Sequence, residues 1–134
     1  MSLLIIDPNS NFRRMLGLAL EATGYVAHVA GSGDEALNYL QNARHLPDVI
    51  LSELALPGWD DAGFLDTLRQ HPQWEAIPVI IMTTHDQPRD RRIAIQHGAN
   101  AYLIKPFTFE ELGSILERWG LLPFAGQPTS QAFS

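Results

Sequence analysis

Four side chains of complementary chemistry stand just after four apolar runs of this sequence. Asp7 follows Leu3 to Ile6, Glu53 follows Val49 to Leu51 and Ser52, Thr83 follows Val79 to Met82 with Thr84 behind it, and Lys105 follows Ala101 to Ile104. Two carboxylates, a hydroxyl and an ammonium group are the materials of a charged cleft. A carboxylate can act as a nucleophile, and the lysine can offset the charge of both acids. Any one of these residues alone is an ordinary polar strand end meeting solvent. The set has meaning only if the chain folds so that those ends converge.

The elements that would bring them together are set by hydrophobic period. Five short apolar runs, Leu3 to Ile6, Tyr25 to Ala30, Val49 to Leu51, Val79 to Met82 and Ala101 to Ile104, alternate with five segments of helical period. Phe12, Met15, Leu16, Ala19 and Leu20 paint one helix face, which Gly24 ends. Ser32 with Glu35 forms a capping-box pattern ahead of Ala36, Leu37 and Leu40, and Thr108 with Glu111 repeats it ahead of Leu112, Ile115, Leu116 and Trp119. Asp60 or Asp61 can cap a helix carrying Phe64, Leu65 and Leu68, and a weaker helix runs from Arg89 to His97 before Gly98. The strand runs are continuously apolar, so both faces of their sheet should be covered by helices. The fold class that follows is α/β, a doubly wound five-stranded parallel sheet. A closed eight-fold barrel needs about 250 residues, and this chain has 134. Open sheets of this kind place their sites at the carboxyl ends of the strands, which draws Asp7, Glu53, Thr83 and Lys105 into one cleft. Only Gly31, Ser32 and Gly33 follow the second run, as expected of an edge strand.

Composition excludes whole classes of function. A length of 134 residues bounds the chain to one domain, and 46% apolar against 18% charged residues supplies a core. The net charge of −6 opposes nucleic acid and anionic lipid, and no basic stripe offsets it. Without cysteine there are no disulfides, thiolate zinc sites or cysteine nucleophiles. No apolar run approaches the ~20 residues of a membrane span, so a cytoplasmic protein is expected. The domain is read over 1–120, with 121–134 as a tail or truncated linker. His28, His45, His71, His85 and His97 lack metal-type spacing and read as surface or cap residues. Arg89, Arg91 and Arg92 read as a solvated helix face rather than a nucleic-acid patch, and Trp119 as core.

Over about residues 3 to 119 the chain resembles the receiver domain of bacterial response regulators. The resemblance is carried by Leu3-Leu4-Ile5-Ile6-Asp7, Leu56-Pro57-Gly58, Pro78-Val79-Ile80-Ile81-Met82-Thr83, Gly98-Ala99 and Tyr102-Leu103-Ile104-Lys105-Pro106-Phe107. It implies a flavodoxin-like strand order of 2-1-3-4-5. It also implies a pair of acids after the first strand that holds Mg²⁺, an Asp ending the third strand that accepts phosphoryl from a histidine kinase, and a hydroxyl and a lysine that bind the phosphoryl oxygens. Asp7 matches the first acid, Thr83 the hydroxyl, Lys105 the lysine and Tyr102 the aromatic switch, while Pro106 matches a proline whose preceding bond is usually cis.

Two positions depart from that pattern. Pro8 stands where the second acid belongs and offers no side-chain ligand, so Mg²⁺ binding is expected to be weak or absent. Glu53 stands at the phosphoacceptor position, and its extra methylene displaces the nucleophile where about 1 Å of misplacement can cost about 10²-fold. The expectation is a degenerate receiver, not an enzyme, that signals by contact with a histidine kinase or another two-component protein. Glu53 could also project charge towards Thr83 and Lys105, partly imitating a phosphoryl group. A homodimer is possible through the face of the fourth helix, fifth strand and fifth helix, to which Ile95, Tyr102 and Phe107 would contribute. The alternatives are a phosphorylatable receiver using Glu53, Asp60 or Asp61, a flavodoxin-like small-molecule binder, and an aspartyl-nucleophile phosphotransfer enzyme built on Asp7-Pro8-Asn9.

Overall fold

The computed structural model describes residues 1–60 and 62–122, together with the backbone of Ala132–Phe133. In chain order the elements are β1 (Ser2–Ile6), α1 (Ser10–Ala22), β2 (Val26–Ala30), α2 (Gly33–Asn42), β3 (Val49–Ser52), α3 (Gly63–Gln70), β4 (Val79–Thr83), α4 (Pro88–Gln96), β5 (Ala101–Ile104), β6 (Phe107–Thr108), α5 (Phe109–Arg118) and β7 (Ala132–Phe133). The first five strands form one parallel sheet in the order β2-β1-β3-β4-β5, and β6 pairs antiparallel with β7 apart from it.

Alternating side chains of the buried strands feed two cores. Leu3, Ile5, Leu51, Ile80 and Met82 pack with α1 and α5, whereas Leu4, Ile6, Ile50, Val79 and Ile81 pack with α2, α3 and α4. Register then aligns the carboxyl ends. Ile6 pairs with both Ala30 and Ser52, and Thr83 with Ile104. Backbone bonds run on past the strands, from Asp7 N to Ala30 O at 3.1 Å, Glu53 N to Ile6 O at 2.8 Å and Lys105 N to Thr83 O at 2.8 Å. Asp7, Glu53, Thr83 and Lys105 therefore leave the same end of the sheet.

The helix ends follow the sequence in part. Asn9 caps α1 by accepting from Phe12 N, and Thr108 with Glu111 forms a complete capping box on α5. Ser32 accepts from Glu35 N, but the Glu35 carboxylate takes Gly31 N–H in place of the return bond. No side chain caps α3, whose N-cap position is Ala62; Asp60 supplies only its carbonyl, to Gly63 N, and Asp61 lies outside the described residues. Trp119, expected in the core, is 42% exposed. It sits at the C-cap of α5, where Gly120 at φ +69° turns the chain and Leu121 enters the core in its place. Leu121 N bonds Leu116 O and Gly120 N bonds Glu117 O, a Schellman ending. The reading of 121–134 as a tail falls mostly outside the described residues.

One cation ties the far side together. The Arg69 guanidinium donates to the carbonyls of Gly98, Glu75 and Ile77 and to Asn100 Oδ1, at 2.8 to 3.0 Å. Its burial lowers its pKa. Gly98, at φ +111°, is fixed as glycine both by that backbone and by the Arg69 side chain, which a Cβ would meet at 2.6 Å. The neighbouring α4 is thinly packed, with Ala94 its one buried residue.

Candidate functional site

Lys105 is the centre of the cleft. Its Nζ lies 2.6 Å from Asp7 Oδ2 and 3.3 Å from Glu53 Oε1, and 4.1 Å from the centroid of the Phe12 ring. The three charged side chains are 9%, 2% and 13% exposed for Lys105, Asp7 and Glu53. Each carboxylate spends its second oxygen on backbone. Asp7 Oδ1 accepts from Asn9 N at 2.8 Å, while Glu53 Oε2 accepts from Leu54 N at 2.6 Å and Ala55 N at 3.2 Å. Two acids against one ammonium leave a net negative charge, which Arg13 tempers by donating to the Asp7 carbonyl at 3.0 Å. The cleft above them encloses about 320 Å³ and is walled also by Pro8, Asn9 and Thr84.

Thr83 is fully buried, and its Oγ1 accepts from His85 N at 3.3 Å. No hydrogen bond among the described residues joins it to Glu53, so the expected reach of Glu53 extends to Lys105 and not to Thr83. Tyr102 is 7% exposed, with its ring turned inward and its hydroxyl donating to His85 O at 2.8 Å. Burial first, then the charges of Asp90, Glu53 and Asp86, push its pKa up to about 12. His85 thus joins Thr83 to Tyr102 through its own backbone. The Lys105-Pro106 bond is cis.

The donor set does not fit the Mg²⁺ that the resemblance implies. A hard divalent ion of this size wants six oxygens in octahedral array. Both Asp7 oxygens are already engaged, Pro8 presents no side-chain donor, and Glu53 Oε2 is folded onto its own backbone. No group of three His, Asp or Glu residues suited to a metal gathers among the described residues. Asn9, the position an aspartyl-nucleophile enzyme would need as its general acid, is spent on capping α1. Asp60 is not among the residues lining the cleft. Of the three apolar residues assigned to the α4, β5 and α5 face, Ile95 alone is exposed. Phe107 is 1% exposed, packed edge-on to Phe12, because the chain turns inward at Pro106.

Sequence reasoning missed Phe12 as the floor under Lys105 and the amides of Leu54 and Ala55 as partners of Glu53. Phe12 carries the same periodic signal as any core residue, and backbone donors carry none.

The response regulator receiver domain family matches residues 3–117. The chain belongs to that family. Receivers are signalling modules of two-component systems and interact with proteins such as histidine kinases. This receiver is 32% identical over 121 residues to an uncharacterized 14.6 kDa protein of Leptolyngbya boryana, covering 90% of this chain and 91% of that protein. It is 34% identical to response regulator Rre1 of Synechocystis, with 86% of this chain aligned to 49% of that protein. It is also 37% identical to the DNA-binding transcriptional regulator NtrC of Escherichia coli, with 85% of this chain aligned to 24% of that protein. The receiver thus spans about half of Rre1 and about a quarter of NtrC. Among solved structures, the chemotaxis response regulator CheY4 of Vibrio cholerae superposes with a TM-score of 0.79 at 32% identity, over 87% of this chain and 96% of that one. The receiver domain of the sensor histidine kinase PA1611 of Pseudomonas aeruginosa, which has a magnesium ion coordinated in its active-site cleft, gives 0.78 at 29%, over 88% and 95%.

Proposed function

We propose that this chain is a pseudo-receiver, a cytoplasmic signalling module that works by protein contact, with a fixed Asp7, Lys105 and Glu53 cluster in place of phosphotransfer. The observation that carries the reading is the posture of Glu53. Its carboxylate bonds Lys105 through one oxygen and the amides of Leu54 and Ala55 through the other. An incoming phosphoryl group would need those same donors, and the nucleophile is occupied by them. The magnesium of the PA1611 receiver has no counterpart in the donor set here, where Pro8 replaces a ligand. Phosphoryl transfer relies on such an ion to neutralise charge between acceptor and donor. The role left to the domain is to present a surface, to a histidine kinase or another two-component protein, with Tyr102 held inward. No nucleic-acid or membrane contact is part of this role, and no helix among the described residues is long and apolar enough to cross a membrane.

The test is acetyl phosphate with Mg²⁺, read by intact-protein mass spectrometry. The wild type, Glu53→Asp and Pro8→Asp should all stay unmodified or nearly so. The combined variant restores acceptor and ligand together, and its gain should exceed the sum of the singles, as residues acting as a unit do. A phosphoryl mass on the wild type that Glu53→Gln abolishes would overturn the proposal.

A further inference from the structure

The charges of α1 run against its own dipole. Arg13 and Arg14 stand in its first half and Glu21 in its last turn, with no acid in the first turn and no base in the last. A helix macrodipole favours the reverse. Arg13 is accounted for by its bond to Asp7 O. Arg14 and Glu21 are exposed, and their side chains enter no ion pair or hydrogen bond among the described residues. They lie seven positions apart on one face, about 10 Å along the axis, with Leu18 between them 59% exposed.

That face borders the edge of the sheet. Gly17 brings α1 close to β2, where a Cβ would lie 3.8 Å from Val29. A groove of about 410 Å³ runs between the two elements, lined by Arg14, Leu18, Glu21, Ala27 and Val29 among others. Val29 is 52% exposed, and Met15 of α1 is also exposed at 52%. Leu18 and Val29 thus leave apolar surface open on either side of the groove, with Arg14 and Glu21 at its rim.

We infer that the α1 and β2 face is a homodimer surface, in which two copies pack α1 antiparallel about a twofold axis passing between Gly17 and Leu18. Arg14 of each copy then meets Glu21 of the other, and each Leu18 closes the groove beside the other copy's Gly17 and Val29. The pattern is self-complementary under a twofold, as an isologous interface requires. Antiparallel packing also sets each helix's N-terminus beside the other's C-terminus. Charges misplaced for their own dipole are correctly placed for the neighbour's. This surface lies on the β2 side of α1, away from the α4, β5 and α5 face.

The test is sedimentation equilibrium of the full chain. The wild type should form a concentration-dependent dimer. Arg14→Glu and Glu21→Arg should each weaken it by about tenfold, since each reversal touches two pairs. The double reversal should return to within about threefold of wild type. Leu18→Glu should abolish the dimer. All three positions are exposed, so each variant should fold, and Glu21→Arg, which puts a base into the last turn, should leave the dilute monomer's thermal stability equal or higher. A wild type that stays monomeric, a dimer insensitive to these variants, or a double reversal no tighter than the singles would overturn the inference.

Discussion

Removing the Glu53 side chain should convert a filled anion site into an open one. In Glu53→Ala the amides of Leu54 and Ala55 lose a carboxylate held at 2.6 and 3.2 Å, and Lys105 loses its 3.3 Å contact while keeping Asp7. Hydrogen bonds to charged groups contribute about 1.5 to 3 kcal/mol each, but water can reach these amides once the side chain is gone. The expected loss is therefore about 1 to 3 kcal/mol in all. For a domain of this size that is a fall of roughly 4 to 12 °C in Tm. Inorganic phosphate should then bind the two amides and Lys105. At ten times its dissociation constant it would restore about 1.4 kcal/mol, or roughly 5 °C. Phosphate also stabilises folded proteins in general, by exclusion from their surface. The decisive quantity is thus the difference between variant and wild type in a phosphate titration followed by differential scanning calorimetry. Adding Lys105→Met to Glu53→Ala should remove the difference. An equal rise in both proteins, or a variant as stable as wild type without phosphate, would refute the idea that Glu53 fills this site.

Three further outcomes follow from the same geometry. Lys105→Met alone should cost about 3 to 5 kcal/mol in urea unfolding, because it strands a buried carboxylate, and Asp7→Asn in the same chain should recover most of it; equal losses in both would contradict this. Stability should be whole below about pH 10 and decline towards pH 12, since Tyr25 and Tyr102 are both pushed up to about 12 by burial while the unfolded chain ionises near 10.0. The two contribute about 2 to 3 kcal/mol each, and Tyr102→Phe should flatten about half of the slope in denaturation measured against pH. Gly33→Ala should cost about 1 to 3 kcal/mol, because its Cβ would strike Trp59 Nε1; in a double-mutant cycle Trp59→Ala should relieve that cost, and strict additivity would argue against the contact.

The fold was readable because two signals, short continuously apolar runs for strands buried on both faces and a 3.6-residue period for the helices, are set by burial alone. Placing Asp7, Glu53, Thr83 and Lys105 at one end needed only the rule that parallel strands share a direction. What escaped the sequence depends on where a chain bends. Trp119 continues the core face of α5 by its spacing from Leu112 and Ile115, but the helix ends there and the turn at Gly120 carries Leu121 into the core instead. Phe107 is as apolar as an interface residue should be, yet the path through Pro106 buries it. The curl of Glu53 onto its own amides leaves no mark, because the donors are backbone and every residue but proline has one. The capping of α1 by Asn9 has a weaker signal than the caps of α2 and α5, because no Glu or Gln stands at Phe12 to complete a capping box.

The Arg69 fan gives α4 two unequal ends. Its C-terminal end is pinned where Arg69 holds the Gly98 carbonyl and the Asn100 side chain. Its N-terminal end hangs from His85, whose N–H and carbonyl are gripped by Thr83 and Tyr102. Ala94 is its one residue sunk into the core, with Ile93 packed half-buried beside it. Mechanically it is a door, hinged at Gly98 and latched at His85. Its first turn is thus tied to Thr83 and Tyr102, while α3 and the start of β5 share the arginine that holds its other end.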